Sequence, residues 1–81
     1  MTEKELKNII FMELKQVAPE YDPGEVDPDE NIREELDIDS YSFLQLLVGL
    51  SDKTGVDIPE ADYEKVFTLG GMMRYLSVRI D

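Results

Sequence analysis

The 81-residue sequence contains no cysteine and no histidine. Disulfides, thiolate or imidazole metal ligands, and Cys-His or Ser-His-Asp nucleophile pairs are therefore excluded. No apolar run approaches the roughly 20 residues that span a bilayer, and the N-terminal segment M-T-E-K-E-L-K lacks the apolar core of a signal peptide. We therefore expect a cytoplasmic protein that is not an enzyme and does not insert into membranes.

Positive charge is scarce as well. Eight Lys and Arg residues stand against nineteen Asp and Glu residues, which gives a formal net charge of −11. Such a surface repels nucleic acid and anionic membranes, and it favours basic partner proteins or divalent cations. Ten of the carboxylates lie between Glu20 and Asp39, where Arg33 is the only basic residue.

The acidic stretch contains one pattern that resembles a calcium loop. Asp27, Asp29 and Asn31 alternate as EF-hand ligands do. However, Ile32 stands where the loop needs a glycine, and Ile38 stands where it needs a bidentate glutamate. We therefore predict no dedicated metal site.

The apolar pattern of the N-terminal third is helical. Thr2 and Glu5 form the T-x-x-E capping box, and apolar residues follow at helical spacing, so we predict a helix over Glu3–Val17. The inward face of this helix is formed by Leu6, Ile9, Ile10, Leu14 and Val17.

Proline and acid dominate the next segment, which we predict to be a long loop over residues 18–31. Tyr21 and Val26 are its expected anchors to the core. A single helical turn is expected over residues 33–36. A helix then begins at Ser40 and ends at Gly55, a residue suited to a left-handed conformation.

Two further helices complete the prediction. The segment E-A-D-Y-E-K-V favours a short helix with Tyr63 and Val66 inward, and Thr68 can cap the last helix. Gly70 and Gly71 should weaken the first turn of that helix. Residues 1–81 are thus predicted to form one all-α domain, a small four-helix bundle of three main helices and one short helix, with a long acidic loop between the first two.

The stretch from Leu36 to Leu50 has an unusual apolar pattern. Asp39 and Ser40 precede a periodic apolar run, which predicts that a helix starts here with Ser40 exposed at its N-terminus. Two apolar faces follow, and we interpret one as core and the other as a surface for a partner. The first comprises Phe43, Leu46, Leu47 and Leu50, the second Tyr41, Leu44 and Val48, and the polar arc between them Ser42, Gln45 and Gly49.

The segment D-S-Y-x-x-L-Q-L-L, followed by V-D-I-P-E-A-D-Y-E-K-V-x-T-L, resembles acyl carrier proteins from about Asn31 to Leu76. That family attaches 4′-phosphopantetheine, taken from coenzyme A, to the serine of an Asp-Ser-Leu motif. The resemblance implies a bundle of acyl-carrier type that holds cargo as a thioester for fatty-acid or lipid metabolism. It also implies attachment at Ser40, where a helix N-terminus would favour the phosphate.

The resemblance further implies partners and the residues that meet them. A phosphopantetheinyl transferase, and acyl- or aminoacyl-ligases with their acceptor enzymes, would act on a monomeric carrier. The docking positions are Asp39, Tyr41, Ser42, Leu44, Gln45 and Val48. The positions of the acyl pocket or core are Leu46, Leu47, Leu50, Ile58, Tyr63, Val66 and Leu76.

Some positions depart from the family pattern. Asp37 replaces a usual glycine, although aspartate can adopt the left-handed conformation. No charged residue occurs from Ser40 through Ser51, where fatty-acid carriers typically have several carboxylates. We therefore hypothesise a specialised carrier. Two alternatives stay open: an aminoacyl carrier of the D-alanyl type, and an interaction module in which Ser40 is only a helix cap.

Overall fold

Three long helices and one shorter helix form the framework of the computed structural model, which describes residues 1–80. Helix α1 is followed by a 3₁₀ turn, the single turn α2, helix α3, a 3₁₀ helix, and helix α4. The all-α bundle is therefore confirmed, but its short helix is of 3₁₀ type. The bounds are α1 Glu3–Val17, 3₁₀ turn Pro23–Glu25, α2 Ile32–Glu35, α3 Ser40–Thr54, 3₁₀ helix Glu60–Val66 and α4 Leu69–Ser77.

Local side-chain chemistry sets the ends of these helices. Thr2, Asp39 and Thr68 each accept, through a side-chain oxygen, a hydrogen bond from the amide three residues later, which starts α1, α3 and α4. Gly55 ends α3 in the left-handed conformation with φ 75°. Asp37 also has a positive φ, 53°, so the turn before α3 contains a left-handed residue, a conformation that aspartate adopts more readily than most residues.

The core lies between α1, α3 and α4. All four residues assigned to the inner face of α3 are buried, and the segments before and after α3 add Ile32, Leu36, Ile38, Val56, Ile58 and Val66. Tyr75 of α4 is also buried, although the sequence pattern did not mark it. The fully buried framework residues are Leu6, Ile10, Leu14, Leu46, Leu50, Met72 and Leu76.

The long acidic loop is anchored differently from the prediction. Val26 is buried as expected, but Tyr21 is 37% exposed, so its assignment as an anchor is wrong. Pro23 is buried instead, because Asp22 caps the 3₁₀ turn and thereby turns the proline ring inward. Pro23 and Val26, rather than Tyr21 and Val26, thus anchor the loop.

The end of the loop is fastened to the start of α4 by backbone hydrogen bonds. The amide of Ile32 donates to the carbonyl of Phe67 at 2.8 Å, and the amide of Gly70 donates to the carbonyl of Pro28 at 2.9 Å. A Cβ atom on Gly71 would collide with the carbonyl oxygen of Lys65. Gly70 and Gly71, which were expected to weaken α4, therefore allow Pro28 of the loop and Lys65 of the 3₁₀ helix to pack closely against its first turn.

Candidate functional site

Ser40 is exposed and is the first residue of α3. The carboxylate of the preceding Asp39 accepts the amide hydrogen of Ser42 at 2.7 Å. Hydrogen bonds from the Ser42 amide and then its hydroxyl, together with the charge of Arg33, hold the pKa of Asp39 below its usual value. An ionised carboxylate and an accessible hydroxyl therefore lie side by side at the positive end of a 15-residue helix.

Arg33 is the neighbour of Ser40 that sequence reasoning missed. Its Nη2 donates a hydrogen bond to Ser40 Oγ at 3.0 Å, and its Nε donates to the carbonyl oxygen of Ile38 at 3.4 Å. The guanidinium also lies 5.7 Å from the centre of the Phe43 ring. The available signal was its isolation, because Arg33 is the only basic residue between Lys15 and Lys53.

Within residues 1–80, no base is hydrogen-bonded to the hydroxyl of Ser40. Its hydrogen-bond partner is a guanidinium, which donates hydrogen bonds and has no acceptor atom. A catalytic serine needs an acceptor for its proton within hydrogen-bond distance. The arrangement instead suits an anion esterified to Ser40, because an arginine and a helix N-terminus both stabilise negative charge.

A cleft of about 280 Å³ opens beside Ser40, between α3 and the segment that contains the 3₁₀ helix. Its floor is aromatic, since the Phe43 ring lies 6.2 Å from the Tyr63 ring and 5.6 Å from the Phe67 ring, measured between centroids. Sequence reasoning did not single out Phe67. The lining residues are Arg33, Ser40, Phe43, Leu44, Glu60, Tyr63 and Phe67.

Of the seven positions assigned to an acyl pocket or core, Tyr63 is in the lining of this cleft. The other six are buried in the hydrophobic core, with Leu50, Val66 and Leu76 fully shielded from solvent. The structure therefore separates an aromatic cleft next to Ser40 from an aliphatic interior. The six buried residues are Leu46, Leu47, Leu50, Ile58, Val66 and Leu76.

The outer face of α3 is apolar and exposed. Tyr41, Leu44 and Val48 are 69%, 43% and 59% exposed, respectively. With Gln45 and Gly49 they line a shallow groove of about 420 Å³, and Gln45 Nε2 donates to the hydroxyl of Tyr41 at 3.2 Å. We call these five residues the α3 outer face. The outward orientation expected for Tyr41, Leu44 and Val48 is observed.

Two other assigned docking residues lie at the N-terminal end of this face. Asp39 is exposed, whereas Ser42 is partly buried and donates its amide to Asp39. At the opposite end, the carboxylate of Glu13 on α1 covers Gly49 and pairs with Lys53 at 3.6 Å. The α3 outer face is therefore bounded by charge but contains none.

Among residues 1–80, no helix is long and apolar enough to cross a membrane. The carboxylates of the same range form no group of three or more that could hold a metal ion.

Comparisons with known proteins agree with this geometry. The family model described as phosphopantetheine attachment site matches residues 10–76. An acyl carrier protein of Rhodococcus erythropolis is 36% identical over 70 residues, which cover 83% of this chain and 77% of the relative. An acyl carrier protein of Lactobacillus johnsonii is 34% identical over 76 residues, 94% of each chain. A meromycolate extension acyl carrier protein of Mycolicibacterium aurum is 38% identical over 55 residues, 68% of this chain and 57% of the relative.

Proposed function

The chain belongs to the acyl carrier protein family, whose members are non-catalytic carriers with a covalent 4′-phosphopantetheine arm, and we propose that Ser40 bears that arm. The observation that carries this assignment is the exposed hydroxyl of Ser40 at the N-terminus of α3, inside the matched region. It lies in the one Asp-Ser pair of the sequence. We further propose that residues 1–81 form a single carrier domain.

The residues around Ser40 have distinct roles in this proposal. The chain contains no cysteine, so the arm supplies the thiol that holds cargo as a thioester. Asp39 keeps the first turn of α3 closed through its bond to the Ser42 amide, and it presents a negative charge to the phosphopantetheinyl transferase. The exposed position of Ser40 allows that enzyme to reach the hydroxyl.

Attachment is tested by incubating the unmodified protein with a promiscuous phosphopantetheinyl transferase and coenzyme A. Intact mass should rise by one phosphopantetheine for the wild-type protein and for Ser77→Ala, a control at an exposed serine of α4 that does not line the cleft. Ser40→Ala should show no gain. An equal gain in Ser40→Ala would refute the assignment.

We also propose that this carrier serves its own ligase and acceptor enzyme in a specialised pathway. The support is the α3 outer face, because no residue from Ser40 through Ser51 is charged and Tyr41, Leu44 and Val48 are exposed. A partner that binds such a face relies on shape and apolar contact rather than on ion pairs. The acidic loop adds only long-range attraction, which salt screens.

The ionic-strength dependence of transfer tests this second proposal. Acyl transfer to the loaded protein by its partner should fall only modestly from low to high salt, since few ion pairs form at contact. An ordinary fatty-acid carrier with its own partner serves as the control. A salt dependence as steep as that of the control would contradict a specialised, apolar docking mode.

A second candidate function is that of an aminoacyl carrier. It is favoured by the close-packed interior beneath α3, where Leu46, Leu47 and Leu50 are all buried. A small polar cargo needs no space in that interior, whereas a long acyl chain would have to displace these side chains. Mass spectrometry of the loaded protein from its host distinguishes the two, because an amino acid and an acyl chain give different added masses.

A further inference from the structure

Several carboxylates near Ser40 oppose the anion that Arg33 and the N-terminus of α3 favour. Glu34, Glu35, Asp37 and Asp39 lie in the seven residues before it, and Glu60 lines the adjacent cleft. A phosphodiester on Ser40 would add a further negative charge to this cluster. The added phosphate and the carboxylates repel one another, and a cation placed among them offsets that repulsion.

Arg33 is the cation placed among them, and its position is fixed from several sides. Its backbone amide donates to Asn31 Oδ1 at 2.9 Å, and the adjoining Ile32 is fully buried. Its Nε donates to the Ile38 carbonyl while the guanidinium lies near the Phe43 ring. The side chain is therefore oriented toward Ser40 before any modification occurs, so little rotamer entropy remains to be lost.

The remaining donors of that guanidinium point to a ligand. Nη2 already donates to Ser40 Oγ at 3.0 Å, and phosphorus would bond to that same oxygen atom. Phosphoryl oxygens accept stronger hydrogen bonds than a hydroxyl does, and a guanidinium matches their geometry. Arg33 has further N–H groups on Nη1 and Nη2 that are available for such contacts.

We propose that Arg33 binds the phosphodiester of the arm and thereby holds the phosphate end of the arm at the entrance of the aromatic cleft. This inference rests on the proposed attachment at Ser40 and adds a positioning residue on α2 to it. The same arginine offsets the charge that modification introduces among the carboxylates. Without it, conversion to the loaded form should destabilise the fold.

The test compares unmodified and phosphopantetheine-loaded forms of four proteins: wild type, Arg33→Gln, Arg33→Lys and Arg74→Gln. Arg74→Gln is the matched control, because Arg74 is an exposed arginine on α4 that does not line the cleft. Completeness of loading is checked by intact mass. The readouts are the ³¹P chemical shift of the phosphodiester and the change in thermal midpoint on loading, both at low ionic strength.

We expect loading to leave the midpoint of wild type and Arg74→Gln nearly unchanged or raised, and to lower that of Arg33→Gln by a few degrees. The ³¹P resonance of Arg33→Gln should be displaced from the wild-type position. The resonance of Arg33→Lys should lie between those two, because lysine keeps the positive charge but lacks the paired N–H donors of a guanidinium. Comparing loaded with unmodified forms of each variant removes any effect of the substitution on the unmodified fold.

The outcomes separate this inference from the one on which it rests. If the wild-type protein gains no mass on treatment with the transferase and coenzyme A, the proposed attachment at Ser40 is wrong, and the proposed role of Arg33 is wrong as well. If all four proteins are loaded but Arg33→Gln matches wild type in both readouts, attachment stands and the role of Arg33 is refuted. An Arg74→Gln response equal to that of Arg33→Gln would also refute it, since the effect would then be one of net charge.

Discussion

Replacing Val48 by alanine separates docking from folding on the α3 outer face. Val48 is 59% exposed and contributes to the groove beside Tyr41 and Leu44. The substitution removes two methyl groups, whose complete burial is worth about 1.6 kcal/mol at about 0.8 kcal/mol each. The exposed 59% corresponds to about 0.9 kcal/mol that a partner can gain by covering the side chain.

The folded protein itself should tolerate the change. The covered part of the two methyl groups is worth about 0.7 kcal/mol. Alanine regains a few tenths of a kcal/mol, up to about 0.7, because it has the higher helix propensity. We therefore expect the thermal midpoint of Val48→Ala to stay within a few degrees of wild type.

Transfer kinetics provide the assay. The kcat/KM of the partner enzyme for the loaded carrier should fall about four- to fivefold, which is 0.9 kcal/mol converted at about 1.4 kcal/mol per factor of ten. Met12→Ala is the control, because Met12 is 57% exposed but lies on α1, outside the groove. A folded Val48→Ala protein with unchanged kcat/KM, or an equal loss in Met12→Ala, would refute docking through the α3 outer face.

Gly71→Ala should lower stability by about 1–3 kcal/mol in thermal or denaturant unfolding, because its Cβ would collide with the Lys65 carbonyl. A loss no larger than that of Gly24→Ala, where the φ is not positive and the nearest atom to the added Cβ is Asp22 Oδ1 at 3.3 Å, would contradict the close packing at the start of α4. Tyr75→Phe should lower the midpoint at neutral pH, because the Tyr75 hydroxyl donates to Asp62 Oδ2 at 2.6 Å. This bond lowers the pKa of Asp62. Burial, and secondly the same bond, raise the pKa of Tyr75. The loss of thermal midpoint in Tyr75→Phe should therefore be full between about pH 4 and about pH 10. It should shrink as pH falls through the lowered pKa of Asp62 or rises through the raised pKa of Tyr75, and a pH-independent deficit in thermal scans would contradict this account.

Features governed by local chemistry were predictable from the sequence. The caps at Thr2, Asp39 and Thr68 depend on a side chain and an amide three residues later, so their pattern is visible in the chain itself. The two faces of α3 follow from helical periodicity alone, because every fourth or third residue shares a side. The left-handed residues at Asp37 and Gly55 are likewise local.

Side-chain contacts between different helical elements were not predictable. Arg33 of α2 reaches Ser40 of α3 across the turn at Asp37, and helical spacing does not relate the two residues. Tyr75 is buried with its hydroxyl satisfied by Asp62, thirteen residues away. Periodic sequence patterns indicate neither the Arg33–Ser40 contact nor the Tyr75–Asp62 contact.

The 3₁₀ character of the short helix also escaped the sequence pattern. Tyr63 and Val66 are three residues apart, a spacing that places them on one side of an α-helix and of a 3₁₀ helix alike. The inward assignment of Val66 is confirmed, because that residue is fully buried. Tyr63 is only partly buried and lines the cleft.

The most direct measurement of the central claim is tandem mass spectrometry of the protein purified from its own host. Fragmentation should release a phosphopantetheine-derived ion, and the modified peptide should place the added mass on Ser40 rather than on the neighbouring Ser42. Host protein that carries no added mass on Ser40, or that carries the arm on any other residue, would contradict the claim.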